Sequence, residues 1–349
     1  MTTTAAALSV PEASASFETV DLERRDLRPH DVRIDIEYAG ICHSDIHQAR
    51  DEWGGGIFPM TPGHEILGTV AEVGPEVTTH AVGDVVGVGC FVDSCLECAA
   101  CKDGEEQFCE KGVVQTYSAK DYEGETTYGG YSTQVVVRDH FVVKIPDGVD
   151  RAGTTPLLCA GITTYAPLVR HGVTQGTRVG VIGMGGLGHV AVKIAAALGA
   201  EVTVLSRTDA KQDDGLEFGA AHYRATEDGS AFKELRGSFD LLLNTVGAAV
   251  PMDKFLGLLD RGGAMVNLGA PTESLEIGAF SLLSFRRAVE GSMVGGLPQT
   301  QEMLDFCAEH GITATVEVIS ADQVDEYYDK VVAGDVRYRA VIDTSTLTA

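Results

Sequence analysis

A chain of 349 residues, 44% hydrophobic with 41 glycines, has the length of two domains of roughly 100–200 residues each and the composition of a turn-rich globular enzyme, which excludes a disordered or fibrous protein. Asp and Glu outnumber Lys and Arg 51 to 26, and a formal net charge of −25 repels phosphate backbones and anionic membranes, so neither nucleic acid nor a membrane is an expected partner. Eight cysteines without an export signal read as metal ligands rather than disulfides, in a chain expected to be cytoplasmic.

The first segment, Met1 to Phe17, is rich in Thr, Ala and Ser and lacks the basic start and apolar centre of a signal peptide. From Phe17 to Tyr38 and from Ile66 to Gly89 the chain reads as β-rich. Val32-Arg33-Ile34-Asp35-Ile36 alternates at period two, and Val85 to Val88 is a short apolar run. A cysteine loop follows, then strand-like sequence at Val135-Val136-Val137 and Phe141-Val142-Val143. Residues 1–155 are thus expected to form a rolled-up β domain, with a cysteine lobe at about 90–112.

After Pro156 the pattern changes. Arg178 to Ile182 reads as a buried strand, Leu187 to Leu198 as a helix stopped near Gly199, and Glu201 to Leu205 as a second strand. Further strands are expected at Phe239–Leu243 and Ala264–Leu268. Alternating strands and helices imply an α/β fold with a doubly wound parallel sheet over residues 156–295. The most apolar long segment, Val179 to Ala200, is broken by glycines, His189 and Lys193 and does not read as a membrane span. In the last part, 296–349, Val336 to Asp343 reads as a strand returning to the first domain.

Gly183-Met184-Gly185-Gly186-Leu187-Gly188 fits G-x-G-x-x-G directly after a strand and at the opening of a helix, the context in which backbone approaches a pyrophosphate. The end of the second strand decides which dinucleotide. An acidic residue there bonds the adenosine ribose of NAD. Here Leu205 is followed by Ser206-Arg207-Thr208, with Lys211 one turn on. A hydroxyl and two cations suit a 2′-phosphate, favouring NADP although Asp209 lies close by.

Cys95, Cys98, Cys101 and Cys109 share one polar loop at spacing C-x2-C-x2-C-x7-C. Four thiolates closing a tetrahedron leave no position for water or substrate, as in a structural zinc site; an iron–sulfur cluster uses the same donors. Cys42, His64 and Cys159 form a separate candidate set. Three ligands leave one position open, as a catalytic zinc requires. Cys159, in an apolar Leu-Leu-Cys-Ala run, equally fits a packed core thiol, the reading given to Cys90 and Cys307.

Three further stretches carry a resemblance: Gly40-Ile41-Cys42-His43-Ser44-Asp45-Ile46-His47, Pro62-Gly63-His64-Glu65, and Pro156-Leu-Leu-Cys159-Ala-Gly-Ile-Thr163. With Gly291-Ser-Met-Val-Gly-Gly296 and Asp335 to Asp343, they resemble the zinc-dependent medium-chain dehydrogenases. The likeness is to the cinnamyl alcohol dehydrogenase branch and its broad-specificity bacterial aldehyde reductases, and it runs from about residue 17 to the C-terminus.

The resemblance implies a GroES-like catalytic domain, a Rossmann domain and a homodimer. It implies two zincs per chain, with Cys42, His64 and Cys159 as catalytic ligands, Glu65 beside the metal, and the four-cysteine loop as the structural site. Asp45 would orient His64, while Ser44 and His47 would relay protons. It implies cofactor contacts from His43, Thr163, Gly183, Gly185, Gly186, Leu187, Gly188, Ser206, Arg207, Lys211, Thr245 and Ser292. Arg207 stands where relatives carry a small hydroxylated residue, which bears on selectivity between NADP and NAD. Trp53 is a candidate wall of the substrate pocket or a loop anchor. The implied activity is reversible NADPH-dependent reduction of small aldehydes to primary alcohols. The competing readings are an NAD-dependent secondary-alcohol or polyol dehydrogenase and, more distantly, a non-catalytic zinc–thiolate redox sensor.

Overall fold

A computed structural model describes residues 3–347; the outermost positions of the first and last sequence-derived domain ranges, 1–2 and 348–349, lie outside the described residues. The chain divides into two compact units, Met1–Cys159 with Gly295–Ala349, and Ala160–Val294. The first boundary therefore falls at Cys159 rather than at residue 155. The reason is local: Pro156, Leu157 and Leu158 are buried in a 3-10 turn, and the Leu158 side chain lies so close to Gly87 that a Cβ there would approach it to 2.7 Å.

In the first unit the long strand Asp31–Ile41 organises a seven-stranded sheet. Val32, Ile34 and Ile36 are buried and Asp35 is exposed, so the alternation in sequence becomes two faces. On one side it pairs antiparallel with Ile66–Val73, with register shifts at Arg33/Ile34 and Ile36/Tyr38. On the other side its first half pairs with Gln134–Arg138 and its second half with Arg339–Asp343. Such bulges bend and twist a strand, which suits one that serves different partners along its length. Val316–Ile319 extends the sheet beyond Arg339–Asp343, while Val85–Val88 and Val143–Lys144 complete the opposite edge.

Two local expectations change. Phe141 ends a 3-10 turn, Asp139–Phe141, and only Val143–Lys144 is strand. Thr3–Ser9, whose Ala5-Ala6-Ala7 run shows no alternation, is a strand paired antiparallel with Glu18–Arg24. Tertiary hydrogen bonds hold this segment, Leu8 N–H to Tyr131 O at 2.8 Å and Val10 N–H to Met60 O at 2.8 Å. Behind the end of the Asp31–Ile41 strand, Ile41, Ile46, Met60, Tyr131, Tyr328 and Ile342 share one core cluster. Each large side chain fully buried there contributes on the order of 1.5–3 kcal/mol.

The second unit is a parallel six-stranded sheet in the order His222–Ala225, Glu201–Ser206, Arg178–Ile182, Phe239–Asn244, Leu259–Asn267, Ala288–Gly291. Numbered within the unit this is 3-2-1-4-5-6, the doubly wound order in which ligands bind beyond the carboxyl ends of strands 1 and 4. The motif glycines follow Arg178–Ile182 and Thr245 follows Phe239–Asn244, so both stand at that switch point. Thr245 marks it with a hydrogen bond from its hydroxyl to Ile182 O at 2.8 Å.

Candidate active site

The Asp31–Ile41 strand delivers Cys42 to the start of a short helix, His43–Ala49. Asp45, in the first turn, accepts the Cys42 N–H at 2.9 Å, so the carboxylate that starts the helix also fixes the backbone of Cys42. Its other oxygen accepts the Gly63 N–H at 3.1 Å and the His64 Nδ1–H at 2.9 Å. One fully buried carboxylate thereby joins two chain segments and leaves His64 Nε2 as the nitrogen free for a ligand.

Cys42, His64, Glu65 and Cys159 are all buried, and one ligand atom from each lies within 4.8 Å of the others. The structure thus brings together residues separated by more than a hundred positions, Cys159 entering from the end of the Thr155–Leu158 turn. Gly40 makes room for Glu65, since a Cβ at Gly40 would stand 2.0 Å from Glu65 Oε2. Glu65 Oε1 accepts a hydrogen bond from Arg339, which arrives on the strand Arg339–Asp343. Glu65 Oε2 is buried without a hydrogen-bond partner. An unpartnered carboxylate oxygen inside a Cys-His-Cys donor set fits a divalent metal, and those donor types fit zinc.

The electrostatics agree with that chemistry. A hydrogen bond from Cys159, together with the charge of Arg339, pulls the Cys42 thiol well below its ordinary value, and the same bond pushes Cys159 up. Burial opposes charging of His64, but Asp45 outweighs it and raises the imidazole well above its ordinary value. Burial pushes Glu65 up to about 7 against the pull of Arg339. Cys90, read from sequence as a packed core thiol, is instead half-buried, and its hydrogen bond to Cys159 helps raise that thiol. Cys307 is a packed thiol, 3.7 Å from Met303 Sδ and pushed up to about 12 by burial.

On the exposed side of the same short helix, the Ser44 hydroxyl lies 3.8 Å from Cys42 Sγ. His47 hydrogen-bonds through Nδ1 to Glu52, and the Trp53 ring stacks on its imidazole with centroids 4.9 Å apart. His43 is exposed, its ring centroid 6.3 Å from that of His47. Trp53 therefore covers His47, a contact that serves either of the roles expected of it.

Sγ atoms of Cys95, Cys98, Cys101 and Cys109 also converge within 4.8 Å. Backbone N–H groups point at these sulfurs: Cys98 N–H to Cys95 Sγ at 3.4 Å, Cys95 N–H to Cys109 Sγ at 3.4 Å, and Glu110 N–H to Cys98 Sγ at 3.5 Å. Such donors favour thiolates. Burial opposes the effect at Cys109, yet its thiol is lowered to about 6, while burial raises Cys101 to about 12. Four thiolates and no open position fit a closed zinc site.

In the second unit Gly183 has φ +93°, in the left-handed region that favours glycine. A Cβ at Gly188 would come within 2.2 Å of Gly183 O, whereas at Gly185 nothing lies within 4 Å. The loop is tight where helix meets strand and open where a pyrophosphate would lie, beside the helix Gly188–Ala197 that follows Gly186 and Leu187. Lys211 Nζ donates to Met184 O at 3.0 Å, tying the Ser206–Lys211 turn to this loop. Ser206 is half-buried and Arg207 exposed. Ser292 follows the last strand and donates its N–H to Asn267 O at 3.3 Å; Thr163 is buried on the helix Ala160–Arg170.

Sequence reasoning missed two residues, Arg339 on Glu65 and Glu52 on His47. Arg339 carried a signal, since a charge flanked by the fully buried Ala340, Val341 and Ile342 demands a buried partner. Glu52 carried none.

Residues 28–147 match the family model described as the alcohol dehydrogenase GroES-like domain, and residues 186–309 the one described as zinc-binding dehydrogenase. The chain is 59% identical over 340 residues, 97% of each chain, to the "probable formaldehyde dehydrogenase AdhA" of Bacillus subtilis (strain 168). It is 53% identical over 345 residues, 99% of each, to "NADP-dependent alcohol dehydrogenase C 1" of Mycolicibacterium smegmatis. Among solved structures, that of CAD from Helicobacter pylori complexed with NADP(H) superposes with a TM-score of 0.94 at 40% identity over 100% of both chains. Fold and donor sets together define a zinc-binding oxidoreductase of the alcohol dehydrogenase and aldehyde reductase class. The chain belongs to the zinc-dependent medium-chain alcohol dehydrogenases, in their cinnamyl alcohol dehydrogenase-like branch.

Proposed function

We propose that this chain catalyses the reversible, NADP(H)-dependent reduction of aldehydes (aromatic, cinnamyl-type or aliphatic) to primary alcohols, with one catalytic and one structural zinc per chain. The observation that carries this reading is the buried Cys42-His64-Cys159 set with the unpartnered Glu65 Oε2. The names of the relatives, an NADP-dependent alcohol dehydrogenase and a probable formaldehyde dehydrogenase, support the chemistry.

Cys42, His64 and Cys159 would hold the catalytic zinc, with Glu65 beside them as a further oxygen donor. When bound, zinc polarises the aldehyde oxygen and NADPH supplies the hydride. Asp45 holds the His64 Nδ1–H and so keeps Nε2 aimed at the ligand cluster. Ser44 donates a proton to the substrate oxygen as its charge develops, and His47 resupplies it. Glu52, on His47 Nδ1 and 37% exposed, connects that relay to water. Trp53 lines the substrate side of the relay. Cys95, Cys98, Cys101 and Cys109 hold the structural zinc.

Gly183, Gly185, Gly186, Leu187 and Gly188 cradle the pyrophosphate, with His43, Thr163, Thr245 and Ser292 completing the cofactor contacts. Ser206, Arg207 and Lys211 receive the 2′-phosphate. The GroES-like domain carries the metals and the Rossmann domain the dinucleotide. The open sheet edge at Ala288–Gly291, with Phe280, Leu283, Phe285 and Met293 exposed in the same unit, supports homodimerisation. Eight unpaired cysteines, six of them in two metal-ligand sets, support a cytoplasmic location.

The test is NADPH oxidation with cinnamaldehyde, benzaldehyde and hexanal on metal-analysed protein, with NADH in parallel. NADPH-selective turnover with about two zincs per chain is expected. Fully metallated protein that reduces none of the three refutes the substrate class; equal use of NADH refutes the cofactor assignment.

A further inference from the structure

Selectivity for a 2′-phosphate requires more than the right side chains. The Ser206–Lys211 turn must hold a hydroxyl and two cations in one arrangement, although Arg207, Asp209 and Ala210 are exposed. The start of the turn is pinned by Thr226, whose N–H and hydroxyl both donate to Ser206 O, at 2.9 and 3.1 Å. Its middle and end converge on a residue outside any cofactor motif. Tyr223, 4% exposed, lies on the neighbouring strand His222–Ala225, paired in register with Val204. Its phenol donates to Thr208 O at 3.0 Å, and the Ser206 hydroxyl and the Lys211 backbone N–H bond to the same phenol oxygen.

One oxygen therefore touches three residues of the turn. Burial raises the phenol's pKa, so it stays a neutral donor near neutrality. The ring reaches this position because the helix Gln212–Glu217 carries a glycine beneath it. A Cβ at Gly215 would stand 2.9 Å from Tyr223 Cδ2 and 3.2 Å from Cε2.

We propose that Tyr223 is a positioning residue for cofactor selectivity, its phenol holding Ser206, Thr208 and Lys211 in the arrangement that receives a 2′-phosphorylated adenosine, with Gly215 admitting its ring. This inference rests on the NADP reading above. Tyr223 touches no part of the cofactor in this role. Its removal loosens the turn while leaving the glycine loop, which takes the 5′-phosphates, untouched.

The test is calorimetric titration of the full-length zinc-loaded protein with adenosine 2′,5′-bisphosphate and, separately, with 5′-AMP. Both place the adenosine ribose beside the turn, but only the first presents a 2′-phosphate to it. Tyr223→Phe, which keeps the packed ring, is expected to weaken the bisphosphate by roughly three- to tenfold, the worth of one hydrogen bond, and to leave 5′-AMP unchanged. Gly215→Ala, which displaces the ring, is expected to move the same ratio in the same direction. A wild-type chain that prefers the bisphosphate, with a Tyr223→Phe variant that keeps its ratio, overturns the role of Tyr223 and leaves the NADP reading standing. Equal loss of both ligands in Tyr223→Phe also overturns it, because a purely structural residue behaves that way. A wild-type chain that binds both ligands equally refutes the NADP reading and this inference with it.

Discussion

Replacing Arg339 by methionine removes one member of an ion pair in which Arg339 is 4% and Glu65 0% exposed. At such burial, water cannot take over the solvation of the charge left behind. Breaking a buried pair by deleting one partner costs about 3–5 kcal/mol, whereas replacing both by apolar or neutral groups is close to neutral. Arg339→Met should therefore destabilise metal-free protein by up to about 3–5 kcal/mol at alkaline pH, where Glu65 is ionised, and Glu65→Gln with Arg339→Met should recover most of it. The loss should also depend on pH in a defined sense. Glu65 already sits near 7 with Arg339 beside it, and without that cation its pKa rises further. A carboxyl whose folded pKa exceeds its unfolded value binds a proton preferentially in the native state, so stability falls as pH rises through that interval. Relative to wild type, the penalty should grow as pH rises from about 7, where wild-type Glu65 ionises while the variant's carboxyl is still protonated, and should level off below 7, where both are protonated. Urea unfolding followed by circular dichroism at several pH values measures this. A loss that does not grow from pH 7 to about pH 9, or a double variant no better than the single at the higher pH, refutes the account.

Asp45→Asn leaves one of three buried N–H groups without its acceptor and should weaken catalytic-zinc binding about 10–100-fold, read by chelator competition, with the second zinc unaffected. Cys98→Ser should lower zinc from about two to about one per chain and cost thermal stability while the catalytic set still loads; retention of both metals would count against the closed site. Glu106 is buried, accepting the Leu297 N–H at 3.0 Å and paired with His140 at 2.8 Å; burial raises its carboxyl, but these partners prevail and hold it below the usual range. Its contribution is therefore complete above the ordinary glutamate value of about 4.3 and is lost as pH falls through the folded value. Relative to Glu106→Gln, the wild type should lose stability on acidification below about pH 5, and parallel acid-denaturation curves would contradict this.

The doubly wound sheet and the glycine loop were legible because their information is local. Arg178–Ile182 followed by Gly183-Met184-Gly185 is strand, turn and helix start within one short window. The four-cysteine loop is legible for the same reason. Cys42, His64 and Cys159 lie far apart in sequence and became candidates only through the motifs around them; spacing alone left Cys159 ambiguous between ligand and core thiol. Arg339 lies 274 residues from Glu65, and no sequence window contains both. Glu52 and Tyr223 have ordinary sequence settings, and their meaning comes from the side chain each one meets. The strand Thr3–Ser9 escaped notice because its pairing partners, not its own pattern, hold it in place.

The first unit is interrupted in sequence, and that interruption has a consequence for synthesis. The Asp31–Ile41 strand is translated early, but the partner of its second half, Arg339–Asp343, follows the whole of Ala160–Val294. At about 5–20 residues per second, tens of seconds separate the two. During that time the nascent chain carries an unpaired strand edge, a ready template for aggregation. It also carries Glu65 without Arg339. The middle unit is contiguous and can fold as it emerges, whereas the metal site waits for the last strand. Zinc therefore meets its complete set of neighbours only after Arg339–Asp343 has been made, and chains truncated before Arg339 should be degradation substrates.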